Sequence, residues 1–354
     1  MMSSIVLALA LILSIGVLAP PLTWGAGAQE ALAQGLKLHE AGRPREAIRE
    51  YDRAIEADSK LIEAYFNRGN AYYDLGDKVR ALRDYNAVLR LNPDDADALY
   101  NRGNTYRRLR KDELALRDYD TAIKLKPDDG KNYVNRGAIH FEAKRYDLAI
   151  KDYGEAIRLD PKNPENYYNR GNALLELDKT AEAVADYDAA LRLDNKFTEA
   201  YYNRGIARAD AEDYEAAIRD FSEVVKLDPK SAHAFYNRAL AKAKIGRHVA
   251  AIEDFGQAIR LEPKDPEAPF NRGLAYLKSE KYDEAARDFS EAIRLQPKNA
   301  QAYVYRGVLR IYQNKDRDAD ADFKKAFAIN PDLRDKVQPI IEEAKAKVRE
   351  KRKE

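Results

Sequence analysis

The 354-residue sequence contains no cysteine, which excludes disulfide bonds, cysteine zinc ligands and a lipid-attachment cysteine. It has two methionines and one tryptophan. The 61 basic and 60 acidic residues nearly balance, so the net charge is only +1. A charge this small, with both signs mixed along the chain, gives no basic surface for a polyanion. We therefore expect no nucleic-acid partner, and a fold that is stabilised by packing alone.

Motifs of catalysis are also missing. The four histidines stand far apart in the chain, without a repeated neighbour of metal-ligand or triad type: His39, His140, His233 and His248. No Gly-rich phosphate loop and no nucleophile motif is present. We expect no enzymatic activity, no cofactor and no metal site.

The first 28 residues differ from the rest of the chain because they hold no charged residue. Residues 5–19 form an uncharged apolar run of 15, shorter than the roughly 20 residues of a membrane-spanning helix. Ala26-Gly27-Ala28 supplies small residues for cleavage. We predict a signal peptide over 1–28, export to the bacterial periplasm, a mature chain that begins at Gln29, and no stable membrane insertion after cleavage. No lysine or arginine precedes the apolar run, so an uncleaved anchor with the remainder outside the cytoplasm is the alternative.

A repeat with a fixed period of 34 residues fills most of the remaining sequence. Its glycines are Gly35, Gly69, Gly103, Gly137, Gly171, Gly205, Gly273 and Gly307, with Ala239 in the one gap. This spacing defines nine units without insertion or deletion: 28–61, 62–95, 96–129, 130–163, 164–197, 198–231, 232–265, 266–299 and 300–333. A constant period of this length predicts stacked supersecondary units rather than one globular core.

Each unit has the pattern of two amphipathic helices. With Ile62 as position 1 of the second unit, a helix to about Leu75, a turn at Gly76-Asp77 and a helix to about Leu91 are predicted. Position 8 is glycine or alanine, position 20 is alanine in all nine units, and position 24 is always tyrosine or phenylalanine. Small residues that face each other, with one ring beside them, allow two helices to pack closely. Proline at position 32 ends the second helix in most units.

These residues resemble the tetratricopeptide repeat, in which Leu-Gly, Tyr, Ala, Phe, Ala and Pro recur at set offsets in 34 residues. The resemblance implies an all-α fold, a right-handed superhelical α-solenoid of helix-turn-helix repeats. Nine repeats would then occupy 29–333 of the mature chain. We interpret 334–354, with its apolar stripe around Ile340 and Ile341 and its basic end, as a capping helix and tail.

In such repeats the first helices line a concave groove. Position 6 is asparagine in seven successive units: Asn67, Asn101, Asn135, Asn169, Asn203, Asn237 and Asn271. A row of carboxamides can pair with the peptide groups of an extended chain, and this row resembles the asparagine ladder of the O-linked N-acetylglucosamine transferases. The alternative is that each asparagine bonds only within the repeats.

Position 5 adds rings beside this row: Phe66, Tyr100, Tyr168, Tyr202, Tyr236 and Phe270. Partly exposed rings suit partner binding, although packing against the neighbouring repeat would explain them too. Position 9 changes from Asn70, Asn104 and Asn172 to Ile206, Leu240, Leu274 and Val308, which predicts a groove that becomes apolar along the chain.

A second pattern couples arginine at position 7 with aspartate at position 23 in eight units, for example Arg170 with Asp186. We interpret it as a repeated structural ion pair. Taken together, the sequence predicts a non-enzymatic protein-protein interaction module that binds a peptide or protein in the concave groove. The alternative is a structural scaffold that bridges envelope proteins through convex faces or ends.

Overall fold

The computed structural model describes residues 24–351, so most of the predicted signal peptide lies outside the described part. All regular structure in 24–351 is helical, without strands. The first helices of successive pairs are α1 (Trp24–Glu40), α3 (Ile62–Asp74), α5 (Ala96–Arg108), α7 (Gly130–Glu142), α9 (Pro164–Leu175), α11 (Thr198–Asp210), α13 (Ala232–Lys244), α15 (Glu267–Lys278) and α17 (Ala300–Tyr312). The second helices are α2 (Pro44–Ala57), α4 (Lys78–Leu91), α6 (Asp112–Leu125), α8 (Tyr146–Leu159), α10 (Thr180–Leu193), α12 (Tyr214–Leu227), α14 (His248–Leu261), α16 (Tyr282–Leu295) and α18 (Asp316–Ile329), followed by α19 (Leu333–Lys351).

The chain divides into two compact units, Met1–Ile139 and His140–Glu354, with the division inside α7. In the first unit α1 packs on α2, α3 on α4 and α5 on α6, while α2 also contacts α3 and α4 also contacts α5. The second unit repeats this arrangement from α9 to α18. Each unit is therefore an α-solenoid of tandem helix pairs, which confirms the predicted fold class.

The two helices of a pair cross where position 8 meets position 24. A methyl group built on Gly205 would lie 2.8 Å from the ring of Phe221, and one on Gly69 would lie 2.9 Å from the ring of Tyr85. Such distances are below normal carbon contact distances, so the ring occupies the space that glycine leaves. Ala239, which replaces glycine in the seventh unit, is fully buried.

The turn between the helices of a pair contains one residue with positive φ, always at position 15. Three are glycines with φ of 70–78°: Gly42, Gly76 and Gly246. Six are other residues with φ of 57–61°: Arg110, Lys144, Asp178, Glu212, Glu280 and Asn314. The left-handed region costs a non-glycine residue roughly 1–2 kcal/mol, so these turns store a small amount of strain.

The two ends of the described chain are helical. Ala28 and Leu32 of α1 are buried with Tyr51 in one apolar cluster. Because α1 begins at Trp24, the predicted cleavage point after Ala28 falls inside this helix. At the other end, α19 buries Val337, Ile341, Ala344 and Val348 in a cluster that includes Phe323. Its polar side faces outward, as a helix with one apolar stripe does. The capping role of α19 stays a prediction.

Candidate peptide-binding surface

The first helices of neighbouring repeats lie side by side within each unit. In Met1–Ile139, α3 contacts both α1 and α5; in His140–Glu354, α11 contacts α9 and α13, and α13 contacts α15. Since the repeats share one register, side chains at equal positions form rows across these helices. The rows at positions 5, 6 and 9 define what we call the first-helix face of each unit.

The asparagines of position 6 use their amide N–H groups to join neighbouring repeats. In the first unit, Asn135 Nδ2 donates to the Tyr100 hydroxyl at 3.2 Å and to Asn104 Oδ1 at 3.1 Å. Asn101 Nδ2 donates to Asn70 Oδ1 at 3.0 Å. Asn67, in contrast, bonds within its own helix, to the Glu63 carbonyl at 2.7 Å.

The second unit repeats these bonds. Asn203 Nδ2 donates to the Tyr168 hydroxyl at 3.2 Å and to Asn172 Oδ1 at 2.9 Å. Asn237 and Asn271 donate to the hydroxyls of Tyr202 and Tyr236, each at 2.9 Å. A carboxamide has two N–H donors, so Asn203 has none left. At Asn203 the carboxamide therefore offers a ligand its carbonyl oxygen rather than both halves of the amide.

The asparagines of position 9 form hydrogen bonds with tyrosines of the core. Asn70, Asn104 and Asn172 each accept a hydrogen bond from the buried tyrosine hydroxyl at position 24 of the same repeat, at 2.6–2.7 Å. Where position 24 is phenylalanine and has no hydroxyl, position 9 is aliphatic. These pairs are Ile206 with Phe221, Leu240 with Phe255, Leu274 with Phe289, and Val308 with Phe323. This coupling was not predicted from the sequence, although position 9 is asparagine only in repeats whose position 24 is tyrosine.

The rings of position 5 both pack and remain partly exposed. Tyr202 meets the ring of Phe221 edge-on at 5.8 Å between centroids, and Tyr236 meets Phe255 at 5.7 Å. Phe66, Tyr100, Tyr168, Tyr202 and Tyr236 are half-buried. Phe270 is 8% exposed because it packs between Phe289 and Tyr305. A partner could therefore reach every ring of this row except Phe270.

Arginine at position 7 holds the two helices of a repeat together through a bidentate ion pair with the buried aspartate at position 23. Arg170 Nε and Nη2 lie 2.7 Å from the two carboxylate oxygens of Asp186. The same geometry occurs in Arg68–Asp84, Arg102–Asp118, Arg204–Asp220, Arg238–Asp254, Arg272–Asp288 and Arg306–Asp322. The predicted structural ion pair is confirmed in these seven repeats.

Several of these arginines also reach position 25 of the preceding repeat. Arg68 Nη1 donates to Asp52 at 2.7 Å, Arg102 Nη1 to Asn86 at 2.7 Å, and Arg306 Nη1 to Ser290 at 3.1 Å. Each such arginine thus ties one repeat to the next. The register of the first-helix face is fixed by these bonds, independently of any ligand.

The first-helix face of the second unit is lined by apolar groups. Ile206, Leu240 and Leu274 are half-buried, and the ends of α13 and α15 carry the exposed cations Lys244 and Lys278. A cavity of about 290 Å³ opens at the start of these two helices. Its lining is Ala232, His233, Tyr236, Ala258, Glu262, Asp265 and Glu267. Burial, together with Glu267 and Asp265, raises the pKa of Tyr236 to about 12, so its hydroxyl stays protonated at neutral pH.

The histidines take part in local contacts. His39 Nε2 lies 2.8 Å from Asp74 Oδ2, and His233 Nδ1 lies 3.6 Å from Glu262 Oε1. Residues 24–351 contain no cluster of three or more histidine, aspartate or glutamate side chains that could hold a metal ion. Within the same residues, no helix has the length and apolar content needed to cross a membrane.

Each unit belongs to the class of helix-hairpin repeat arrays, and its repeats are held in register by ion pairs and by hydrogen bonds of asparagine side chains. Matches of the sequence to protein-family models identify the family. Models described as TPR repeat and tetratricopeptide repeat match 35–76, 137–178 and 171–211, then 66–130 and 202–269, and finally 270–299. Together they cover 35–130 and 137–299, so the chain belongs to the tetratricopeptide repeat family. No curated protein matches the chain.

One solved structure shows the same fold, and two others are similar over part of the chain. The C-terminal part of a TPR repeat-containing protein from Cytophaga hutchinsonii is 18% identical, with a TM-score of 0.59 over 67% of this chain and 97% of that one. YrrB, described as a TPR protein with an unusual peptide-binding site, is 25% identical, with a TM-score of 0.48 over 56% and 97%. A MamA protein is 27% identical, with a TM-score of 0.46 over 49% and 94%.

Proposed function

We propose that this protein is a non-enzymatic protein-interaction module that binds an extended peptide on the first-helix face of the unit His140–Glu354. Arrays of such repeats use extended surfaces of this kind for binding. The main observation is the pair of adjacent rows on that face. Tyr168, Tyr202 and Tyr236 are half-buried beside the half-buried Ile206, Leu240 and Leu274. Rings and aliphatic groups that stay partly exposed in a row can bury large area on a partner at low entropy cost.

The asparagine row supplies the polar part of the proposed site. The carboxamides of Asn203, Asn237 and Asn271 keep their Oδ1 as a hydrogen-bond acceptor, and each donates an N–H bond to a tyrosine hydroxyl of the preceding repeat. A carbonyl oxygen can accept from the backbone N–H of an extended peptide. We thus assign to Asn203, Asn237 and Asn271 the role of orienting the peptide, and to the rings and aliphatic groups most of the affinity.

Charges at the two edges of the face select the partner. Lys244 and Lys278 stand at the carboxyl ends of α13 and α15, whereas Asp265 and Glu267 stand at the opposite edge, in the 290 Å³ cavity beside Tyr236. Opposite potentials at two edges favour one orientation of a charged ligand. The expected peptide contains apolar side chains for the aliphatic row and a lysine or arginine for the acidic cavity.

The test begins with a random peptide library selected on the purified chain. A selected peptide is then measured by fluorescence anisotropy against wild type and against Leu240→Asp, which places a carboxylate in the aliphatic row. We expect Leu240→Asp to weaken binding by roughly 100-fold, since a desolvated apolar contact of about 3 kcal/mol is lost. The matched control is Val249→Asp on α14, a 62% exposed position on the second helix of the same repeat.

Two asparagine variants separate a ligand role from a structural role. The repeat before Asn169 has Val134 and Ala138 at the two accepting positions, and neither side chain accepts a hydrogen bond. Asn203→Ala, in contrast, removes two bonds between repeats. If the oxygens bind peptide, Asn169→Ala should weaken binding without lowering the melting temperature. Equal peptide affinity in wild type, Leu240→Asp and Asn169→Ala would refute the proposed site.

We further propose nine repeats over 29–333 and export after removal of residues 1–28. The repeat count rests on the unbroken 34-residue spacing, and export rests on the uncharged apolar run of residues 5–19. Intact-mass measurement on the chain expressed in a bacterial host should show Gln29 as the first residue, in the periplasmic fraction. A mass that includes Met1, in the membrane fraction, would replace the cleaved signal by an anchor.

A further inference from the structure

A second surface groove lies on the second helices, away from the first-helix face. It runs in the unit Met1–Ile139 between α4 and the turn that joins α5 to α6, and its volume is about 510 Å³. Val79, Leu82 and Leu109 form its apolar floor, and Arg83, Arg90 and Lys111 line it as cations. Val79, Arg83 and Arg90 follow one stripe of α4, because residues three, four and seven apart share a helix face.

Val79 stands at position 18, which is acidic in several other repeats. At the same position of the sixth repeat, Glu215 accepts a hydrogen bond from Arg247 of the next repeat at 2.6 Å. In the eighth repeat, Asp283 accepts one from Gln313 of the next repeat at 2.8 Å. Such bonds join a second helix to the following turn. Val79 cannot form one, and its side chain is 69% exposed.

The cations around this groove have no carboxylate in direct contact in the part of the chain that the structure describes. Lys111 occupies the position of Arg247, but it faces Val79 instead of a carboxylate. Two carboxylates of α4 and its N-cap that lie near Arg83 in sequence pair with other arginines, Asp77 with Arg80 and Asp84 with Arg68. Within residues 24–351, Arg83, Arg90 and Lys111 have no ion-pair partner. Three unpaired cations around exposed apolar groups form a surface that is complementary to acidic and apolar groups of another molecule.

We propose that this groove binds an acidic amphipathic segment of a partner protein. Apolar side chains of the segment cover Val79, Leu82 and Leu109, while its carboxylates pair with Arg83, Arg90 and Lys111. Charge complementarity defines the sign of the partner, and the apolar floor defines its class. A phosphodiester backbone would pair with the cations but would leave the floor exposed to water, whereas an acidic amphipathic helix satisfies both.

The test uses a synthetic fluorescein-labelled helical peptide of about 18 residues, or five turns. The peptide has a leucine stripe flanked by glutamates, and a control peptide has glutamine for every glutamate. Anisotropy should show tighter binding of the glutamate peptide, and the affinity should fall as salt is added. Val79→Glu rebuilds the carboxylate that pairs with position 16 elsewhere, so this variant should weaken binding about ten-fold or more.

The matched control is Val249→Glu, at the same repeat position in the unit His140–Glu354 and 62% exposed. It should leave affinity for the glutamate peptide unchanged. A second variant, Arg83→Ala with Lys111→Ala, should weaken binding of the glutamate peptide more than that of the glutamine peptide. Because these side chains are exposed, circular dichroism should show an unchanged fold in every variant.

Three results would overturn the proposal. The first is equal binding of the glutamate and glutamine peptides to wild type. The second is a loss with Val249→Glu as large as the loss with Val79→Glu. The third is tighter binding of a single-stranded oligonucleotide or of anionic lipid vesicles than of the peptide, because the groove would then be a phosphate-binding surface.

Discussion

The ion pair of Arg170 with Asp186 allows a direct test of what holds each repeat together. Arg170 is the best choice because position 25 of the preceding repeat is Gly154, which has no side chain to bind its third nitrogen. The contact is therefore confined to one pair, with two bonds of 2.7 Å. The hydrogen bond that Arg170 donates to Asp186 raises the pKa of Arg170, so the guanidinium is charged at neutral pH.

The magnitude follows from burial. The Asp186 side chain is 8% exposed and the Arg170 side chain 29%. Arg170→Ala leaves a buried carboxylate without its cation, which costs about 3–5 kcal/mol. Because Arg170 retains some access to water, we expect a loss near about 3 kcal/mol. Asp186→Ala leaves a cation that can turn to solvent, so its loss should be smaller, about 1–2 kcal/mol.

The assay is a double-mutant cycle by urea denaturation at pH 7. We expect the double variant to lose about 2 kcal/mol, less than the sum of the single losses, which gives a coupling of about 2–3 kcal/mol. Arg192→Ala is the matched control on α10, since Arg192 is exposed and should contribute within about 0.5 kcal/mol. Single losses that add to within about 0.5 kcal/mol would show that the pair does not stabilise the repeat.

Two further predictions concern the turns and the tyrosines. Glu280 has a φ of 58°, so Glu280→Gly should raise the free energy of unfolding by up to about 1 kcal/mol. Gly246→Ala, at a φ of 78°, should lower it. Urea denaturation of both variants checks the sign of each change, and equal changes would exclude strain at position 15. Burial raises the pKa of Tyr187 above the value of about 10 for an unfolded tyrosine. The folded state thus keeps a proton that the unfolded chain loses, and the free energy of unfolding should fall as pH rises above about 10. Tyr187→Phe should reduce that fall in thermal melts between pH 8 and 11, and an unchanged pH profile would contradict it.

Much of the fold follows from spacing alone. The predicted second repeat, with helices to about Leu75 and Leu91, corresponds to α3 (Ile62–Asp74) and α4 (Lys78–Leu91). Glycine at position 8, alanine at position 20 and a ring at position 24 specify one close crossing, because no other arrangement fills that volume. The ion pairs were also predictable from the sequence. Positions 7 and 23 change together in the first repeat, where they are Gln34 and Glu50.

The partners of the asparagine row were not predictable in this way. Spacing places Asn203 on one face of α11, but its contacts with Tyr168 and Asn172 depend on how closely α9 and α11 approach. That distance is a tertiary quantity, set by the packing of both repeats. The positive φ of position 15 was also hidden, because six of the nine residues there are not glycine.

The core constrains the residue type at position 9, so this position gives little information about a ligand of the first-helix face. Tyr51 has Leu36 at position 9 of its repeat, and in the described residues its buried hydroxyl has no hydrogen-bond partner. Asn172 supplies that partner for Tyr187, and an aliphatic residue suffices wherever position 24 is phenylalanine. Asparagine at position 9 therefore occurs only where position 24 is tyrosine, although two tyrosines, Tyr51 and Tyr153, stand in repeats with Leu36 and Ala138. The aliphatic residues at position 9 of the second unit accompany its phenylalanine core, so selection for a ligand is better judged from exposed positions, such as those of Lys244 and Lys278 at the ends of α13 and α15.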